Sequence, residues 1–141
     1  MKAVVLILSF LMVVLVSCSK KEETKLTAFS SEAFAYDLGD SSEVDATTQV
    51  KGFQQKEENN NYFATISYDI DLVTPKGDTL KSLISKIVDR TQKEKISDTE
   101  LNAQFDLESI YVNGSYKVIF RIKDVLSGKS TVATAGFKLG D

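Results

Sequence analysis

The chain of 141 residues contains no histidine, and its single cysteine, Cys18, lies at the border between an apolar run and a charged one. Without an imidazole, proton transfer and nucleophilic attack would rest on Asp, Glu, Lys, Ser or Tyr alone. Two groups of carboxylates could do chemistry by residue type. Asp37, Asp40, Glu43 and Asp45 form an acidic stretch rich in the oxygen ligands Ca²⁺ takes, but their spacing lacks the pattern of an established calcium loop, and such stretches are usually solvated. Asp69 and Asp71 stand two apart in an alternating segment, so they share the outward face of one strand. Glycosidases set two carboxyl groups on either side of a scissile bond, an arrangement that neighbours on one exposed strand do not supply. Lys117, Arg121 and Lys123 alternate outward on a second strand, and cross-strand charge pairing accounts for both sets. The expectation is a non-enzyme with no metal and no cofactor.

Composition bounds the rest. The length fits one domain, and 43% hydrophobic with 26% charged residues is the balance of a globular chain with a core to bury. A formal net charge of -3 leaves no basic surplus to neutralise phosphates, so nucleic acid is not an expected partner.

The N-terminal residues read differently from the remainder. Met1-Lys2 gives a positive start, and Ala3 to Val16 is an apolar run, interrupted only by Ser9, suited to the core of an export signal and short for a membrane span. The sequence Leu15-Val16-Ser17-Cys18 resembles the lipobox of bacterial lipoproteins. That resemblance implies cleavage between Ser17 and Cys18, acyl chains on Cys18, and attachment to a membrane through them. Each buried CH₂ of an acyl chain contributes about 0.8 kcal/mol, so two or three chains hold firmly where one holds weakly. Residues 1–17 are then a signal peptide, and residues 18–25 the lipidated cysteine with a polar tether reaching at most about 3.5 Å per residue. Serine after the cysteine resembles outer-membrane sorting. Lys21-Glu22-Glu23 is similar to a surface-display signal of some Gram-negative lineages, or is simply a soluble linker. The expected location is the bacterial outer membrane, on its periplasmic or cell-surface face.

The elements that must position any site follow from period two. Leu101, Ala103, Phe105 and Leu107 alternate with polar residues; Tyr116, Val118, Phe120 and Ile122 alternate with Lys117, Ile119, Arg121 and Lys123, and Ala133, Ala135, Phe137 and Leu139 form the next inward set. Residues 62–72 form a long strand entered by a turn at 57–61, with an earlier strand carrying Ala46, Thr48 and Val50 and another suggested by Phe34, Tyr36 and Leu38. Asn113-Gly114, Ser127-Gly128 and Thr74-Pro75-Lys76-Gly77-Asp78 are turns. Between 79 and 90, Leu80, Leu83, Ile84, Ile87 and Val88 fall at helical spacing, so a helix competes with a strand followed by a polar excursion through 91–97; the flanking strand rhythm favours the strand.

Six or seven strands with no room for crossover helices predict an all-β antiparallel sandwich over residues 26–141, or an α+β fold if 79–90 is helical. The C-terminal strands, from Asn113-Gly114-Ser115-Tyr116 to Phe137-Lys138-Leu139, resemble the last two of immunoglobulin-like or fibronectin-type-III-like domains. The resemblance implies that Tyr116 is a corner tyrosine whose hydroxyl bonds backbone upstream. Val118 stands where antibody domains have cysteine, and there is no tryptophan, so the likeness is to the broad class.

A binding face is expected on the sheet formed by 62–72, 115–124 and 130–139, whose outward set includes Phe63, Ile119, Arg121 and Val132. If it binds, Ile119→Asp and Arg121→Glu remove partner capture and leave the thermal midpoint nearly unchanged. The function expected is a lipid-anchored, non-catalytic binding or scaffolding module of the cell envelope, recognising a protein or an extracellular ligand. The alternatives are an accessory subunit of an outer-membrane complex and a small inhibitor of secreted hydrolases.

Overall fold

The structure is a computed structural model describing residues 24–140. The expected signal peptide, the lipobox with Ser17 and Cys18, and nearly all of the tether lie outside the described residues.

Eight antiparallel strands follow in chain order: β1 (Thr27–Asp37), β2 (Ser41–Lys51), β3 (Lys56–Glu58), β4 (Asn61–Val73), β5 (Thr79–Gln92), β6 (Asp98–Glu108), β7 (Gly114–Asp124) and β8 (Ser130–Leu139). They form two sheets. One is ordered β1-β2-β6; in the other β5, β4, β7 and β8 lie side by side, with the short β3 pairing only the first residues of β4. The chain passes between the sheets after β2, after β5 and after β6, and hairpins close the remaining strand pairs. This is a β-sandwich, compatible with the immunoglobulin-like class. The strand beyond the six or seven expected is β3, a three-residue arm of the turn read at 57–61.

The alternation read from the sequence becomes the two inner faces. Val44, Ala46, Thr48 and Val50 of β2 and Leu101, Ala103 and Leu107 of β6 face Ile66, Tyr68, Ile70 and Leu72 of β4, Val118, Phe120 and Ile122 of β7, and Ala133, Ala135, Phe137 and Leu139 of β8, all buried. A row of alanines, Ala33, Ala46 and Ala103, crosses the three-stranded sheet. Beside it, Tyr68 spans the core and donates its hydroxyl to the Asn102 carbonyl at 2.7 Å. The buried Thr48 hydroxyl is satisfied by Ser31 Oγ at 2.8 Å, where a bulge in β1 lets Ser30 adopt a φ of 50°.

Residues 79–90 are strand, part of β5. Their helix-like spacing has a specific origin. Leu80, Ile84 and Val88 are the half-buried inward positions, opposite Leu72, Ile70 and Ile66. The positions of the same parity between them are not buried: Ser82 sits in a bulge with a φ of 54° that turns its hydroxyl to Arg121, and Lys86 swings over the sheet edge to Asn102 Oδ1 at 3.1 Å. Period two therefore looks like period four. At the start of the domain Leu26 is buried, and the backbone of Lys25 crosses so close to Gly52 that a Cβ there would lie 2.1 Å from the Lys25 carbonyl oxygen.

Candidate functional site

The antiparallel register places the outward residues of the four-stranded sheet in rows. In one row Ser85, Asp69, Arg121 and Val132 stand side by side across β5, β4, β7 and β8; in the next are Ile87, Ser67, Lys123 and Ser130. Between them runs a shallow groove of about 530 Å³, with Ile87 on one flank and Val132 on the other. Both are exposed, at 70% and 61%, although both are β-branched and sit mid-strand. The floor is polar and fixed. Arg121 Nε donates to Asp71 Oδ2 at 2.8 Å, its Nη2 donates to Asp71 Oδ1 at 3.1 Å and to Ser82 Oγ at 3.0 Å, and its Nη1 lies 3.6 Å from Asp69 Oδ2. Asp69 also accepts from the Ser85 hydroxyl.

Asp71 is buried, and the β5 bulge exists at its position: Lys81 to Leu83 occupy the space opposite it, and the Ser82 N–H donates to Oδ1 at 2.8 Å. Burial pushes the Asp71 carboxyl upward, but the hydrogen bonds from Arg121 and from the Ser82 N–H, with the charges of Arg121 and Lys81, outweigh it and hold the carboxyl below its ordinary value. The same hydrogen bond to Asp71, opposed by desolvation, raises the Arg121 guanidinium. Cross-strand charge pairing is thus the observed state of Asp69, Asp71 and Arg121.

Of the expected face, Ile119, Arg121 and Val132 come together: Ile119 and Arg121 are alternate residues of β7, and Val132 pairs directly with Arg121. Phe63 does not join them. It points outward on the same sheet but six residues before Asp69, roughly 20 Å along the strand, between Lys56 and Thr91. Ile119 is half-buried beside Asp71, and Arg121 is a structural clamp, so neither is a free surface probe. The exposed apolar residues of β5 that the sequence reading missed are Ile87, at the groove, and Leu83. Their signal was their parity: with Leu80, Ile84 and Val88 inward, Ile87 and Leu83 must point out.

The acidic stretch is not gathered. Glu43 and Asp45 project from β2 at successive outward positions, Asp40 lies in the hairpin turn, and Asp37 Oδ1 accepts from the Gly39 N–H at 2.7 Å. No group of metal-ligating side chains able to hold an ion occurs among the described residues.

No protein-family model matches the sequence, and no curated protein does. Among solved structures, the X-ray structure of Northeast Structural Genomics Consortium target SoR45 is similar at a TM-score of 0.42 and 10% identity, covering 84% of this chain and 87% of that one. A likeness at that level carries no argument about fold or activity.

Proposed function

We propose that the chain is a lipid-anchored cell-envelope lipoprotein whose immunoglobulin-like sandwich is a non-catalytic binding module, engaging its partner through the outer face of the four-stranded sheet. The observation that carries this is the placement of Ile87 and Val132, exposed at 70% and 61%, on the two flanks of one groove. Exposed apolar side chains grouped over a rigid polar floor are the composition of a contact site, with the apolar flanks for burial and the Lys123 and serine side chains between them for orientation. A binding role suits the groove better than a catalytic one, because Arg121 occupies both carboxylates that could move a proton there. The lipobox residues Leu15 to Cys18 support the anchor. The Tyr116 hydroxyl, which donates to the Val112 carbonyl at 2.6 Å, supports the immunoglobulin-like assignment.

The test has two arms. Radiolabelled palmitate is expected on the wild-type chain and not on Cys18→Ala; label on the variant overturns the anchor. A photo-crosslinker placed at Ile87 or Val132 of the lipidated protein is expected to capture one partner in stable yield, and Ile87→Asp with Val132→Asp is expected to abolish copurification of that partner while keeping the thermal midpoint. Capture that survives both substitutions moves the site elsewhere.

A further inference from the structure

The opposite face of the sandwich differs in charge and in what it exposes. The strands of the three-stranded sheet, β1, β2 and β6, carry eight carboxylates and a single cation, Lys51, which stands at the end of the ladder over the Phe29 ring at 5.1 Å from its centroid. The strands β4, β5, β7 and β8 carry more cations than carboxylates. Two outward rows of the acidic sheet are laid out by the register. Tyr36 on β1 lies beside Glu43 on β2, which lies directly opposite Asp106 on β6; in the next outward row Phe34 lies beside Asp45, with Gln104 beyond. Phe34 and Tyr36 are 53% and 51% exposed, and Leu38 just past the strand is 57% exposed.

The carboxylates of Glu43, Asp45 and Asp106 make no side-chain hydrogen bond or ion pair among the described residues. Like charges directly opposite across a ladder are destabilising, and here Glu43 faces Asp106 while the one cation of these strands, Lys51, stands at the far end of β2. An acidic surface alone is simply solvated. An aromatic stripe along its edge is a different matter, because aromatic side chains exposed by half on a flat strand face hold water against an apolar surface that a partner could cover.

We propose that the outer face of the three-stranded sheet docks a cationic protein surface, with Phe34 and Tyr36 packing against its apolar centre and Glu43, Asp45 and Asp106 receiving its lysines or arginines. The charge selects that occupant. Phosphate-bearing surfaces, nucleic acid or anionic lipid, are repelled by the face, and the carboxylates are spread along strands rather than gathered around one ion position. This surface lies on the opposite side of the sandwich from the Ile87 and Val132 groove and stands or falls separately from it.

The test is zero-length carbodiimide cross-linking of the full, lipidated protein in the membranes of the cells that make it. The reagent condenses a carboxylate with a lysine amine, with loss of water taken up by the carbodiimide, so it reads both halves of the proposed contact. The expected products join Glu43, Asp45 or Asp106 to lysines of a different protein. Their yield is expected to fall about tenfold in the Phe34→Ala/Tyr36→Ala double variant, and about as far at roughly 1 M salt, where the screening length drops to about 3 Å. Because both rings are half exposed, the double variant should keep the wild-type thermal midpoint, which separates lost docking from lost folding. Links from these carboxylates only to a second copy of this chain would overturn the proposal. So would their absence from the products, or a yield indifferent to both the double variant and salt.

Discussion

Arg121 on β7 grips Asp71 on β4 at two points, a planar guanidinium 43% exposed above a carboxylate 7% exposed. The asymmetry in burial decides which partner is costlier to lose. Asp71→Ala strands the Ser82 N–H as well as the guanidinium, and should cost about 1–3 kcal/mol by urea unfolding. Arg121→Met should also destabilise, because it leaves a buried carboxylate with one donor, and the double variant should cost less than the sum of the two. Arg121→Glu would crowd a third carboxylate against Asp69 and Asp71, so its thermal midpoint should drop, contrary to the expectation that this charge could be reversed without effect. Additive single variants would mean the contact contributes nothing.

The same pair predicts an acid dependence. The folded-state pKa of Asp71 lies below its unfolded value of about 3.8, so its contribution to stability is fully present above that value and is lost as pH falls through the folded pKa. The difference in unfolding free energy between wild type and Asp71→Asn should be constant above about pH 5 and shrink below about pH 4. A difference that grew on acidification would reverse the sign of the shift.

Tyr116 is buried, stacks on Phe137 with ring centroids 5.3 Å apart, and donates to the Val112 carbonyl at 2.6 Å, tying the loop between β6 and β7 to the core. Removing only the hydroxyl, Tyr116→Phe should cost about 0.5–1.5 kcal/mol. Removing the ring, Tyr116→Ala should cost about 3–5 kcal/mol. Chemical denaturation separates the two, and equal small effects would place the ring outside the core.

Most of the inner faces were legible because burial on one side of a strand writes itself as alternation: Tyr116 to Ile122 and Ala133 to Leu139 are buried position by position as the period implies. The pattern misleads where another constraint takes an inward slot. In β5 the bulge at Ser82, which serves Asp71, and Lys86, which reaches over the sheet edge, interrupt the apolar set and imitate a helix. In β1 the bulky residues Phe34 and Tyr36 announce a strand, yet the side facing the core is the small one, Ala33 and Ala35. Size marks the strand there, and only the register with β2 marks its face. The Arg121 site was half legible: the alternating charges showed that cross-strand pairs would form, but not that one carboxylate would be buried, since that depends on three residues of β5 standing opposite one of β4.

A second carboxylate holds the other end of the sheet. Asp124, the last residue of β7, is 1% exposed, and its oxygens accept from the Gln54 N–H at 2.7 Å, the Leu126 N–H at 3.1 Å and the Ser127 hydroxyl. It joins two segments distant in sequence, the crossing after β2 and the turn between β7 and β8, where Gly128 with a φ of 73° donates to the Asp124 carbonyl at 2.8 Å. Every one of these side-chain contacts needs an acceptor, and Oδ2 alone serves both Gln54 and Ser127. Asparagine fits the space but presents an NH₂ group on one side, so whichever way it turns, a donor faces a donor. Asp124→Asn should therefore cost about 1–3 kcal/mol despite its matching shape, with Asp124→Ala in a similar range or above. Hydrogen exchange should locate the loss: the Gln54 and Leu126 amides should lose protection in both variants, and those of the β1–β2 ladder should change only as far as global stability falls. A neutral Asp124→Asn, with Gln54 still protected, would show that the carboxylate is not what joins the two segments.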